Sequence, residues 1–288
     1  MAEKLQTISE ISRHILRMLR ESQPAEEAGA LATAIIMEYT GMGRAAQLAF
    51  GDRVAGDTAA ERIIEAAVRA AAGEPLQYIF GYPEFCGHRI EVGPGVLIPR
   101  PETEEMTLMI IRGHGGFRGT ITDLCTGTGC IAIALALAFP GASVTATDLS
   151  AAALEMAQRN ITRTGAAVRL MKDDLLSDSH HDLPASNLIV SNPPYVTMSE
   201  KRAMQRNVLD HEPHDALFVP DDDPLLYYRA VAGVAEHHLL PGGTLWLEVN
   251  EGLAHETAAL YPQPNYSRVS ILRDIRGKER FIKAEKNG

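Results

Sequence analysis

Apolar side chains at Ile8, Ile11, Ile15 and Leu19 recur at the three-and-four spacing that lays them along one face of a helix. Thr7 with Glu10 forms a capping box that predicts where this helix begins. The same signature, Thr58 with Glu61, precedes Ile63, Ile64, Ala67, Val68 and Ala71, and Gly73 is placed to stop that second helix. Two shorter helices are expected over residues 25–37 and 44–50. The pattern predicts a small helical domain over residues 1–75, serving either as a structural cap or as a docking surface for a protein partner.

The texture changes from Leu76 to Pro101, where aromatic and β-branched residues lie between glycines and prolines. A β-hairpin and a stiff connector are expected there, over residues 76–101. From residue 102 to the end, short apolar runs alternate with helical stretches. The runs cover 121–125, 144–148, 168–171, 188–191 and 244–249, and the helices 131–139, 151–164 and 225–239. That alternation predicts an α/β domain with a mostly parallel sheet covered on both faces. Residues 268–272 and 280–284 have only a short turn between them, so they should pair antiparallel at the sheet edge.

The first strand of this domain runs into a glycine loop, Asp123-Leu-Cys125-Thr126-Gly127-Thr128-Gly129. The glycines allow a tight turn and a close backbone approach to a ligand, and the helix that follows offers free N–H groups. Asp148 ends the next strand about twenty residues on, where a carboxylate can accept ribose hydroxyls. With Ala132 the loop satisfies the G-x-G-x-x-A dinucleotide pattern, so NAD is one reading, and a turn that merely needs glycine is another. Asp123 favours a ligand bearing an ammonium or sulfonium centre over a pyrophosphate, which it would repel. S-adenosylmethionine has those cations and a ribose, and no phosphate. Cys125 and Cys130 read as small buried residues.

The fourth run ends in Asn192-Pro193-Pro194-Tyr195. Two prolines fix the turn and supply no backbone donors, leaving one amide side chain at the strand tip. Such a turn can grip a planar NH₂ group. Asn192 and the Pro193 carbonyl would accept its two hydrogens, and Tyr195 would pack on its face. His211, Glu212 and His214 could suggest a metal, but Pro213 breaks the helix such a set would need. The pairs at 180–181 and 237–238 read as solvated histidines, and residues 221–223 as an exposed acidic loop.

Composition narrows the class. The 288 residues carry a net charge of −10, which argues against a broad electrostatic grip on DNA or RNA. No apolar stretch approaches the length of a membrane span, and the start lacks a signal-peptide layout. Three cysteines suggest no disulfide framework, so a cytoplasmic location is expected.

These motifs together resemble a known family. The D-x-x-T-G-T-G loop followed by Asn-Pro-Pro-Tyr is similar to the amino-group methyltransferases. "GEPLQYIFGYPEF", "VLIPRPETE", "HEPHDALF" and "IRGKERF" select the release factor glutamine methyltransferases of the HemK/PrmC type. The resemblance implies a class I, Rossmann-like methyltransferase domain behind a helical N-terminal domain. It implies S-adenosylmethionine as cofactor and the Gly-Gly-Gln glutamine of peptide chain release factors as substrate, with no direct DNA binding. It also implies site residues. Asp123 and Cys125 to Gly129 would cradle the methionine part, Asp148 the ribose, and Asp174 and Leu175 would border the adenine. Asn192, Pro193, Pro194 and Tyr195 would hold the substrate amide. Many relatives carry glycine at the position of Cys125 and an aromatic at that of Leu175. Four alternatives remain at this point. They are a ribosomal-protein glutamine methyltransferase, a nucleic-acid amine methyltransferase, an NAD-linked oxidoreductase and a non-catalytic release-factor binder.

Overall fold

Thr7 accepts the Glu10 backbone N–H at 3.3 Å, and the Glu10 carboxylate accepts the Thr7 N–H at 3.0 Å. This reciprocal cap opens α1 (Ile8–Leu19) as the sequence predicts. The computed structural model describes residues 7–177 and 180–288, and its chain divides into two compact units. The first runs to Gly81 and takes in residues 205–211.

In that unit, α2 (Ala25–Thr40), α3 (Arg44–Ala49), α4 (Asp57–Ala71) and α5 (Leu76–Phe80) follow α1. Ile8, Ile11, Ile15 and Leu19 are buried with Ile35, Ile36, Ile63 and Ala67 in one core. Burying each large aliphatic side chain contributes about 1.5–3 kcal/mol. The second capping box is a correction. α4 begins at Asp57, and Gly56 at φ 79° caps it with no side-chain hydrogen bond. Thr58 therefore lies inside the first turn, where its hydroxyl cannot play the cap. Residues 76–80 are also helical rather than part of a hairpin, since Pro75 starts the turn and Gly81 at φ 84° ends it.

The second unit holds the α/β domain. Its hairpin pairs β1 (Glu84–Phe85) with β2 (His88–Arg89). Then come α6 (Pro101–Gly113), β3 (Thr120–Leu124), α7 (Cys130–Ala138), β4 (Ser143–Asp148), α8 (Ala151–Thr164), β5 (Val168–Lys172), β6 (Ser186–Ser191) and β7 (Val196–Thr197). α9 (Arg206–His211) belongs to the first unit. The chain closes with β8 (Phe218–Val219), α10 (Leu226–His238), β9 (Leu239–Glu248), α11 (Ala254–Ala258), β10 (Tyr266–Arg273) and β11 (Glu279–Lys286).

Seven strands form one sheet in the order β10-β11-β9-β6-β3-β4-β5. β9, β6, β3, β4 and β5 are parallel, and β11 inserts antiparallel between β9 and β10. Alternation along β6 explains the two covered faces. Leu188 and Val190 join a core with Met106, Ile110 and Ile131, while Ile189 joins another with Tyr228, Val231 and Leu247. The chain steps outward from β3 to β4 and β5, then crosses to β6 on the other side of β3. That reversal opens a crevice between the carboxyl ends of β3 and β6.

Candidate active site

The register places the sequence-predicted residues along one edge of the sheet. Leu124 pairs with Thr147 on β4 and with Ser191 on β6, and Ser191 pairs with Leu247 on β9. The glycine loop, Asp148, Asn192 and Glu248 therefore leave neighbouring strand ends on the same side.

The loop after β3 is held from below. Asp123 is fully buried, and its Oδ2 accepts the Thr126 hydroxyl at 2.5 Å and the Ala132 N–H at 3.2 Å. Burial pushes its pKa up to about 7, against the pull of those two donors. The side chains of Thr126 and Thr128 are buried too, so the loop presents backbone upward. Cys125 stands at φ 58°, a left-handed conformation that costs a non-glycine residue roughly 1–2 kcal/mol. Burial and the neighbouring Asp148, Asp123 and Asp173 push its thiol up, which keeps it neutral. Gly129 at φ 80° needs its missing side chain, because a Cβ would meet Ala157 of α8 at 3.2 Å. Gly127 differs, since a Cβ there meets nothing within 4 Å.

Asp148 ends β4 with both oxygens on backbone donors, Gly127 N at 2.8 Å and Ser150 N at 2.9 Å. Burial raises its pKa and those donors lower it. Asp174 turns back on Leu176 N at 3.0 Å, and Leu175 is buried in the α10-side core rather than facing outward. The histidines at 180, 181, 237 and 238 line a cleft of about 720 Å³ beside Leu175. His180 corrects the expectation of solvated histidines, because its ring bonds to Asp173 at 2.9 Å with the side chain 11% exposed.

Asn192 leaves β6 half-buried, and its Nδ2 donates to Thr103 Oγ1 at 3.0 Å. Thr103 in turn donates to Glu248 Oε2 at 2.7 Å, and the Tyr195 hydroxyl donates to Glu248 Oε1 at 2.9 Å. Glu248 is 1% exposed. Burial raises its pKa, while the two hydroxyls and the charge of Arg280 lower it. Burial and the same carboxylate raise the Tyr195 phenol well above its usual value. Asn250 Nδ2 reaches the Tyr195 carbonyl at 3.4 Å and pins the far end of the turn.

Thr103, Glu248 and Asn160 drew no individual role from the sequence, and Glu212 drew only that of a metal candidate. Thr103 shares the buried face of α6 with Met106, Thr107 and Ile110, a polar residue at helical spacing on an apolar stripe. Glu248 follows Leu-Trp-Leu in a buried strand, and that misplaced charge was the available signal. Asn160 donates to the Thr128 carbonyl and ties the loop to α8. Glu212, one of the metal candidates, instead accepts Arg100 at 2.7 Å and Ile98 N at 3.0 Å, which fixes the segment leading into α6.

A seven-stranded sheet with a glycine loop, a strand-end carboxylate and an Asn-Pro-Pro-Tyr turn at its switch point defines a class I methyltransferase. Residues 85–214 match the Methyltransferase small domain and residues 10–81 the PrmC N-terminal domain. A release factor glutamine methyltransferase of Bacteroides thetaiotaomicron is 39% identical over 97% of this chain and 100% of its own. One from Bordetella pertussis is 43% identical over 75% of this chain and 79% of its own. The chain belongs to the release factor glutamine methyltransferase family. A solved methyltransferase from Pyrococcus furiosus shares the fold at 22% identity, with a TM-score of 0.50, covering 79% of this chain and 98% of its own. The methyl donor of this class is S-adenosylmethionine. The residues present fit it, since Gly127 leaves open space above the loop and Asp148 stands beside it.

Proposed function

We propose that this chain methylates the side-chain amide nitrogen (N5) of the glutamine in the Gly-Gly-Gln motif of peptide chain release factors, and so acts in translation termination. The observation that carries this reading is Asn192 at the tip of β6, across the switch point from the glycine loop of β3. S-adenosylmethionine, when bound, supplies an electrophilic methyl group on its sulfonium.

The chain's own residues do the positioning. Residues 125–129 would hold the methionine part, Asp148 would accept the ribose hydroxyls on the lone pairs its backbone partners leave free, and Asp174 would border the adenine with Leu175 packed behind it in the core. Asp123 acts from beneath, keeping the loop in shape through Thr126 and Ala132. An amide nitrogen is a poor nucleophile because its lone pair is delocalised. Asn192 Oδ1 and the Pro193 carbonyl accept its two hydrogens and turn the nitrogen toward the donor, and they favour the positive charge that develops there. Pro194 keeps the turn rigid, and Tyr195, fixed by Glu248, covers the amide face. The methylated nitrogen is strongly acidic and releases its proton without a dedicated base. Such alignment can supply roughly 7–11 kcal/mol in favourable cases.

The helical unit docks the release factor, because one glutamine offers too little surface for selectivity. Its exposed apolar side chains support this, Leu48 at 80% and Val54 at 67% among them. The three cysteines are free thiols, in keeping with the reducing cytoplasm. A net charge of −10 weighs against nucleic acid as substrate. Labelled methyl donor offered with purified release factor, ribosomal proteins and DNA tests the reading. Label should enter the release factor and vanish when its Gly-Gly-Gln glutamine is replaced by alanine. Transfer to DNA or a ribosomal protein, with none to release factor, would overturn it.

A further inference from the structure

Resting on that reading of Asn192, we infer that Thr103 and Glu248 are positioning residues that dictate which end of the Asn192 amide faces the substrate, and so make the site select a carboxamide over a carboxylate. As a carboxylate, Glu248 can only accept hydrogen bonds, and two hydroxyls converge on it, one per oxygen. Thr103 has a single proton, and the 2.7 Å contact to Glu248 commits it. Its oxygen can then only accept at the 3.0 Å contact with Asn192, so the NH₂ end of Asn192 must point at Thr103. Among the described residues the structure gives Asn192 Oδ1 no hydrogen bond, so an acceptor is left for the site. A glutamine NH₂ satisfies it, whereas a glutamate carboxylate presents only acceptors and is repelled.

The network also explains why the first turn of α6 is tied down on three sides. Arg100 is held by Glu212, Thr103 by Glu248, and Glu104 accepts the Cys86 N–H at 2.7 Å. These bonds fix the position of the Thr103 hydroxyl, and through it the rotation of Asn192.

Thr103→Val keeps the shape and removes the hydroxyl, Thr103→Ser restores it, and Glu248→Gln replaces one of the two acceptor oxygens with a donor NH₂, so that residue 248 no longer forces Thr103 to donate. Each full-length variant is assayed for steady-state methyl transfer to release factor, with thermal unfolding on the same preparation. Binding is also measured for release factors bearing Gln or Glu at the methylated position. Thr103→Val and Glu248→Gln should lower kcat by about tenfold or more with KM within about threefold, and Thr103→Ser should stay near the wild type. In Thr103→Val the preference for Gln over Glu should shrink, because the freed amide can turn its NH₂ outward. Folded Thr103→Val with unchanged kcat and unchanged Gln-over-Glu preference would overturn the inference. If Asn192→Ala is inactive in that same series, the reading of Asn192 still stands. If Asn192→Ala is also fully active, both fall together.

Discussion

Asp123 is a carboxyl enclosed beneath the glycine loop, and replacing it with asparagine gives a stability change whose pH dependence can be worked out in advance. Burial moves its pKa from 3.8 to about 7. Below about pH 4 both folded and unfolded chains hold the proton, and the group has no effect on the balance. As pH rises from about 4 to about 7, the unfolded chain releases the proton while the folded chain keeps it, so stability falls. Above about 7 both forms are ionised, and the loss levels off at about 4 kcal/mol. Between pH 5 and pH 8 this group alone costs about 2–3 kcal/mol. Asp123→Asn stays neutral throughout. It also carries a roughly constant offset of about 1–3 kcal/mol, because its NH₂ would take the position where Asp123 Oδ1 now has no partner. Urea unfolding of both proteins at pH 5, 6, 7 and 8 measures the difference. The variant should gain on the wild type by about 2–3 kcal/mol across that range. Two curves that stay parallel would refute a raised Asp123 pKa.

Three further outcomes follow from the same geometry. Cys125→Gly should leave stability within about 1 kcal/mol of the wild type, because relief at φ 58° offsets lost packing, whereas Cys125→Val should cost about 2 kcal/mol or more by thermal unfolding. Asp148→Ala should weaken S-adenosylmethionine binding about tenfold or more by calorimetry, and unchanged affinity would remove it from the ribose site. Leu48→Glu should raise KM for release factor severalfold with kcat and melting temperature unchanged. An unaltered KM would show that this face takes no part in docking.

The layout of the catalytic unit was legible because its signals are local. A buried strand followed by glycines, and another followed by two prolines, can each be read within ten residues of chain. The capping box at Thr7 was equally local, while the one at Thr58 failed because Gly56 caps the helix two residues earlier. What the sequence could not show is how the site is wired. Thr103 meets Asn192 across 89 positions and Glu248 across 145. Only the sheet order, with β9 beside β6, brings these side chains together. Leu175 shows the complementary problem. A leucine after a strand reads as a candidate wall for adenine, but packing against the α10-side core determines where it points.

The central claim is that Asn192 orients the substrate amide, and single-turnover methyl transfer by Asn192→Ala, with thermal unfolding recorded alongside, tests it most directly. The substitution removes both the donor to Thr103 and the acceptor for substrate while leaving the proline turn in place. The unpaired amide hydrogen costs about 1–3 kcal/mol, equivalent to roughly 5- to 150-fold in rate, and free rotation of the glutamine adds to the loss. Asn192→Asp keeps an acceptor but cannot donate to Thr103, and it places a second carboxylate near Glu248, so it should also transfer poorly. Asn192→Ala protein should be folded, bind S-adenosylmethionine normally and transfer its methyl group slowly. A stable Asn192→Ala protein with near-normal transfer would contradict the claim.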